Sequence, residues 1–157
     1  MSGFGCPPIL TPPPAAPDAA PIFNDGWFPD IDPAELRKAR RIPGDLPADR
    51  LRAAVREAII WTNDQLEDWR AEQSAPSFAE VPAPTLDGLS RNVVLYQLAV
   101  GASAKALLIE RQRDVDLTGA GQRKVDELDD SIGELRRDAL HAVRRILGQT
   151  RTNVELL

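Results

Sequence analysis

The stretch Phe28-Pro29-Asp30-Ile31-Asp32-Pro33-Ala34-Glu35-Leu36 decides how the rest of this 157-residue chain is read. Asp32 offers a carboxylate to the orphan N–H groups of a first helical turn. Pro33 brings the preset φ that suits the first helical position, and Glu35 stands where a capping-box acid reaches back. A helix therefore starts at Pro33, and residues 1–32 are left outside it as an extended arm.

The arm contains Pro7, Pro8, Pro12, Pro13, Pro14, Pro17, Pro21 and Pro29, and its acids Asp18, Asp25, Asp30 and Asp32 are opposed by no Lys or Arg. That composition favours polyproline II or disorder over helix and sheet. Phe23, Trp27 and Phe28 nevertheless cluster near its end. They either pack back on their own bundle or anchor the arm in a groove of an adjacent protein; the second reading makes all three arm anchors.

Downstream of Pro33 the apolar periodicity is helical. A first short helix runs to Arg41 and is closed by Pro43-Gly44. A second runs from near Pro47 to about Gln73, with Leu51, Val55, Ala58, Ile59, Thr62, Leu66 and Trp69 on one face. Ile60 lies almost opposite, among Arg56, Asp64, Glu67 and Ala71, where an isolated chain leaves it in water. Residues 74–87 read as a connector broken by Pro76, Pro82 and Pro84 and pinned by Phe78 and Val81.

The third helix, about Leu89 to Arg113, is apolar nearly all round and must be central. Its small residues Ala99, Gly101, Ala102, Ser103 and Ala104 admit close approach of another helix. Such a helix asks for more partners than a small bundle supplies, so a homo-oligomer is expected, with Ile60, Gly101, Ala102 and Ala104 at the subunit interface. The fourth helix follows the Gly119-Ala120-Gly121 break, from about Gln122 to Leu147. Its stripe is Val125, Leu128, Ile132, Leu135, Ala139, Ala142 and Ile146, and Gly148 stops it. The expected fold is all-α: a small bundle of about four helices over residues 33–148, an extended N-terminal arm, and a short extended C-terminal tail at 149–157.

The chain has 19 Lys and Arg against 24 Asp and Glu, a net charge of −5, and so lacks the basic footprint of a protein that grips DNA phosphates. No apolar stretch reads as reaching the roughly 20 residues that span a bilayer, and neither a signal peptide nor a membrane partner is expected. Cys6 is alone and reads as a free cytosolic thiol. His141, the one histidine, has no nucleophile motif with it, Gly119-Ala120-Gly121 is no phosphate loop, and the pairs Asp129-Asp130 and Asp114/Asp116 lack calcium-loop spacing. No catalytic residue, metal site or cofactor is expected.

Three segments carry a resemblance when taken in order and at their separations. They are Trp27-Phe28-Pro29-Asp30-Ile31-Asp32-Pro33; the helix from Pro47-Ala48-Asp49-Arg50-Leu51-Arg52 to Thr62-Asn63-Asp64-Gln65-Leu66; and Glu134-Leu135-Arg136-Arg137-Asp138 with Ala142-Val143-Arg144-Arg145-Ile146. Over about residues 22–151 the chain resembles the phage head completion proteins of Peduovirus-type contractile-tailed phages, the gpL family. The first twenty residues match nothing in that pattern.

The resemblance implies a structural protein of the virion neck, assembled in the host cytoplasm. It would form a ring of about twelve subunits on the portal protein after DNA packaging. The ring would retain the genome and seat a tail-side neck or tail terminator protein. An acidic lumen would let packaged DNA pass without specific binding. Such adaptors are expected to insert C-terminal segments between portal subunits, which makes Arg151, Val154, Leu156 and Leu157 candidates for portal docking. The alternative is an oligomeric DNA- or partner-binding adaptor like a terminase small subunit, using Arg37, Lys38, Arg40, Arg41, Arg50, Arg52 and Arg56.

Overall fold

A computed structural model describes residues 20–116 and 122–149, with the side chains of 20–112 and 131–149. Among the described residues four α-helices follow one another: α1 (Pro33–Ala39), α2 (Ala48–Ala71), α3 (Arg91–Asp116) and α4 (Gln122–Ile146). The all-α class and the four helices expected from the sequence are what the structure has. Asp32 caps α1 as its position dictates, Oδ1 accepting the N–H groups of Ala34 at 2.8 Å and Glu35 at 3.4 Å.

The stop of α1 differs from the expected Pro43-Gly44. The N–H of Ile42 reaches back to the Arg37 carbonyl at 3.0 Å, and Arg41 turns left-handed at φ 49°. Burial of Ile42 supplies the apolar contact that fixes this closure.

α3 is central. α2 packs on one side of it through Leu51, Val55, Ala58, Ile59 and Leu66, α4 on the other through Ile132, Ala139, Ala142, Val143 and Ile146, and α2 and α4 hardly meet. Both flanking helices run antiparallel to α3, as the Tyr96–Asn63 and Arg111–Glu57 pairs require for α2, and the Arg136–Glu110 ion pair and the approach of Arg91 to Gly148 for α4. On length and composition Arg91–Gln112 would suffice to cross a membrane, which corrects the expectation that no stretch does; 61% of its most apolar window lies buried inside the bundle.

The expected interface face of α3 is also corrected. Ala102 and Ala104 are fully buried within the chain, and the Arg40 side chain lies over Gly101 so closely that a Cβ there would come 2.5 Å from its Nε. Arg40 then donates from Nη2 to the Leu98 carbonyl at 2.9 Å. The small residues admit α1 and the neighbouring helices of the same chain, not a second subunit.

The packed body begins at Ile22 rather than Pro33. Ile22 and Ile31 exchange both backbone hydrogen bonds, at 2.7 and 3.0 Å, and close a loop that lays Trp27 and Phe28 on the bundle. Phe28 stacks on Tyr96 with ring centroids 5.5 Å apart, and Trp27, Trp69 and Phe78 complete the cluster at 4.9–6.3 Å. Trp27 donates from Nε1 to the Ala75 carbonyl at 3.0 Å and accepts from the Phe78 N–H at 2.9 Å. Two of the three expected arm anchors are thus core residues of their own chain, because burying them on α2 and α3 is the nearest way to remove large apolar rings from water. Phe23 alone stays out, 75% exposed.

A closed ring of hydrogen bonds holds that loop to the helices. Asn24 Nδ2 donates to Tyr96 Oη at 2.9 Å, Tyr96 donates to Asn63 Oδ1 at 2.6 Å, and Asn63 Nδ2 donates to Asn24 Oδ1 at 3.0 Å. Burial raises the Tyr96 phenol well above its ordinary range, so the hydroxyl keeps the proton that this circuit needs. Tyr96→Phe leaves an acceptor and a donor stranded while keeping the ring packing, and should cost about 1–3 kcal/mol in urea unfolding.

Between α2 and α3 the sequence reading missed a hairpin, β1 (Thr85–Leu86) with β2 (Leu89–Ser90). Asp87 and Gly88 both take positive φ, 49° and 76°, the turn that suits two-residue hairpins. At the far end Gly148, at φ 72°, closes α4, and the Gln149 N–H bonds to the Arg144 carbonyl at 2.8 Å.

Candidate assembly surfaces

The outer face of α2 is the first surface. Its inner positions are filled by the core, so the residues half a turn away have no chain partner to cover them. Ile60 stands there 61% exposed, as the sequence predicted, with Asp64, Glu67 and Asp68 exposed toward the C-terminal end of the helix. Ile60→Glu should leave the unfolding free energy within about 0.5 kcal/mol, an ordinary surface effect, while blocking self-association if the residue is an interface position. Urea unfolding and analytical sedimentation measure the two halves of that expectation.

The stretch Ala20–Asp25 runs along one flank of α2. Arg52 donates to the Ala20 carbonyl at 2.7 Å, Asn24 meets Asn63 at 3.0 Å, and Asp25 pairs with Arg70. Exposed Phe23 is thereby set beside the middle of α2. Burial pushes the Asp25 carboxyl up, but the N–H groups of Phe28 and Trp27 and the Arg70 guanidinium outweigh it and hold the group below its ordinary value. Arg70 also covers the faces of Trp27 and Phe28 at 5.0 and 5.3 Å. The loop is fastened by polar contacts at its rim and aromatic contacts beneath.

The second surface lies on α4 and the start of α3. A cleft of about 530 Å³ is lined by Arg91, Asp138, His141, Arg144, Arg145, Gly148 and Gln149, which makes it basic in an acidic protein. Asp138 is the acid of that lining, and its charge opposes the lowering of the Arg40 guanidinium by burial. His141 is one wall of this cleft. Beside it α4 exposes Leu140, at 43%, with Arg137 one turn before and Arg144 one turn after. Leu86 and Leu89 are exposed on the hairpin at the same end of the bundle. The Asp87-Gly88 pair was the signal for the hairpin; the cleft left no local signal, since Arg91 and Arg145 meet only through antiparallel packing of α3 and α4.

Three of the seven basic residues considered for DNA binding are engaged within the chain. Arg37 donates to the carbonyls of Pro43 and Leu46, Arg40 to that of Leu98, and Arg52 to that of Ala20. These three guanidiniums close loops of the chain itself. Among the described residues no three His, Cys, Asp or Glu side chains converge on a metal position. Cys6 and the docking candidates Arg151, Val154, Leu156 and Leu157 lie outside the described residues.

Known proteins match along the whole of this architecture. The sequence model of the family described as phage head completion protein (GPL) matches residues 22–157, starting at the residue that closes the Ile22–Ile31 bridge. The head completion/stabilization protein of Escherichia phage P2 is 40% identical over 154 residues, covering 96% of this chain and 89% of that protein. A protein of Haemophilus phage HP1 named "probable head completion/stabilization protein" is 30% identical over 147 residues, covering 89% of this chain and 94% of its own. No solved structure gives a significant match.

Proposed function

This chain belongs to the phage head completion protein family, and on that premise we propose that it is the portal adaptor that completes the filled head. It adds to the portal vertex as a ring of about twelve copies, retains the packaged genome, and presents the platform for the tail-side neck or tail terminator protein. Assembly in the host cytoplasm ends with the protein in the neck between capsid and tail. The work is structural: the ring seals and bridges, and DNA slides through an acidic lumen that repels phosphate.

The observation that carries this reading is the extent of the family match. It begins where the packed body begins, at Ile22, and runs through the last residue, Leu157, so the C-terminal segment belongs to the family unit as much as the bundle does. A segment with Val154, Leu156 and Leu157 at its end suits insertion between portal subunits. Net charge of −5 agrees with a channel that does not hold DNA.

The test is nuclease protection of packaged heads made without this protein. Adding the purified chain should render their DNA resistant to nuclease and competent for tail attachment. Heads that stay equally leaky at saturating protein would refute the reading.

A further inference from the structure

The two ends of the bundle differ, and chain geometry decides which of them can meet the portal. α2 and α4 both run antiparallel to α3, so the start of α3 shares one end with the close of α4, and the start of α2 lies at the other. Gly148 and Gln149 line the cleft beside Arg91, so residues 150–157 are joined to the bundle at the first end. Ala20, whose carbonyl is held by Arg52 early in α2, joins residues 1–19 to the bundle toward the second. A segment the length of 150–157 spans at most about 29 Å fully extended. The 26 residues of α3 run for about 39 Å at 1.5 Å each. A tail that inserts between portal subunits cannot first run the length of the bundle, so the cleft end must be the near one.

That end also carries unused binding groups. Leu86 and Leu89 are direct partners across the hairpin, which puts both side chains on one face, and they are 53% and 50% exposed. The Arg91 N–H ties the base of the hairpin by bonding the Pro84 carbonyl at 2.8 Å, so this aliphatic pair stands next to the cleft. Within the cleft Arg144 is already engaged by its own chain, and the charge of Asp138 is set against Arg40. Arg91, Arg145 and His141 remain to meet a partner, with Asp87 at the hairpin tip as the nearby acid. Arg91 Nε and Ser90 Oγ are buried and lack hydrogen-bond partners among the described residues, so this wall has bonding capacity that the bundle does not use.

We infer that the hairpin-and-cleft end is the face that seats on the portal, with Leu86 and Leu89 entering an apolar depression there and Arg91 and Arg145 receiving portal carboxylates. The inference rests on the portal-adaptor reading above and adds the orientation of the chain in the neck. The start of α2, with residues 1–19 joined beside it, then points to the tail side. A protein surface suits this end better than a phosphate backbone does, because the backbone of DNA offers the two leucines no apolar contact. Covering them also removes water from the neighbouring arginines, where charge-assisted hydrogen bonds to carboxylates gain strength.

The test labels the full chain, in a Cys6→Ser background, with a benzophenone maleimide at Leu89→Cys or at Asp49→Cys, the latter an exposed position in the first turn of α2. Each is bound to heads lacking this protein and irradiated. Leu89→Cys should link to the portal protein, and Asp49→Cys should not. Without any bulky label, Arg145→Glu at an exposed position should cut head-bound protein at least about tenfold and leave the helical circular-dichroism spectrum unchanged. Absence of a portal link from Leu89→Cys, its replacement by a link to a second copy, a portal link from Asp49→Cys, or wild-type binding by Arg145→Glu overturns this orientation and leaves the adaptor reading standing. A loss on DNA-filled heads that is absent from emptied ones makes DNA the partner of the cleft and overturns it likewise. A wild-type chain that binds neither kind of head overturns the adaptor reading and this inference together.

Discussion

Phe28→Ala should lower the stability of the isolated chain by about 3–5 kcal/mol, the usual cost of emptying a buried aromatic site. Phe28 is 4% exposed and touches Trp27, Phe78 and Tyr96, so its removal opens a cavity where the N-terminal loop meets α2 and α3. The same cavity undercuts the seat of Arg70 over the ring. In a domain of this size the melting temperature should fall by at least about 10 °C. Phe23→Ala, three-quarters exposed, should stay within about 0.5 kcal/mol of wild type. Were Phe28 an anchor for a neighbouring protein, as its place in a proline-rich arm suggested, the isolated chain would melt unchanged and only assembly would fail.

Deleting residues 150–157 should have the largest functional effect of any change that spares the bundle. Gln149 is kept because its N–H closes α4 on the Arg144 carbonyl at 2.8 Å, and no core position of the described bundle is touched. The helical circular-dichroism spectrum and the thermal transition should be retained. Portal attachment should be lost and the heads should leak DNA. Full complementation of a head-completion defect by the truncated chain would move the portal contact onto the helical body.

Where information is local, the sequence spoke clearly. The Asp32-Pro33 cap, the apolar stripe of α2, the central place of α3 and the Gly148 stop are each written in residues a few positions apart, and each stands in the structure. The Ile22–Ile31 bridge pairs residues across a loop that has no periodicity of its own, and a reading that stopped at the helix cap assigned everything before it to the arm. The small residues of α3 announced a close approach without saying what approaches; Arg40 over Gly101 is an answer only tertiary packing could give. The Asp87-Gly88 turn carries a local hairpin signal, but Pro76, Pro82 and Pro84 on its N-terminal side give the whole segment the composition of a connector. Of the assembly surfaces, Ile60 was visible from the helical wheel alone.

The central claim, that this chain forms a ring adaptor on the portal, is tested most directly by electron cryomicroscopy of packaged heads to which the purified chain has been added. The account predicts one ring of about twelve copies coaxial with the portal vertex. Density scattered over the capsid shell, or a portal vertex left bare at saturating protein, would contradict it.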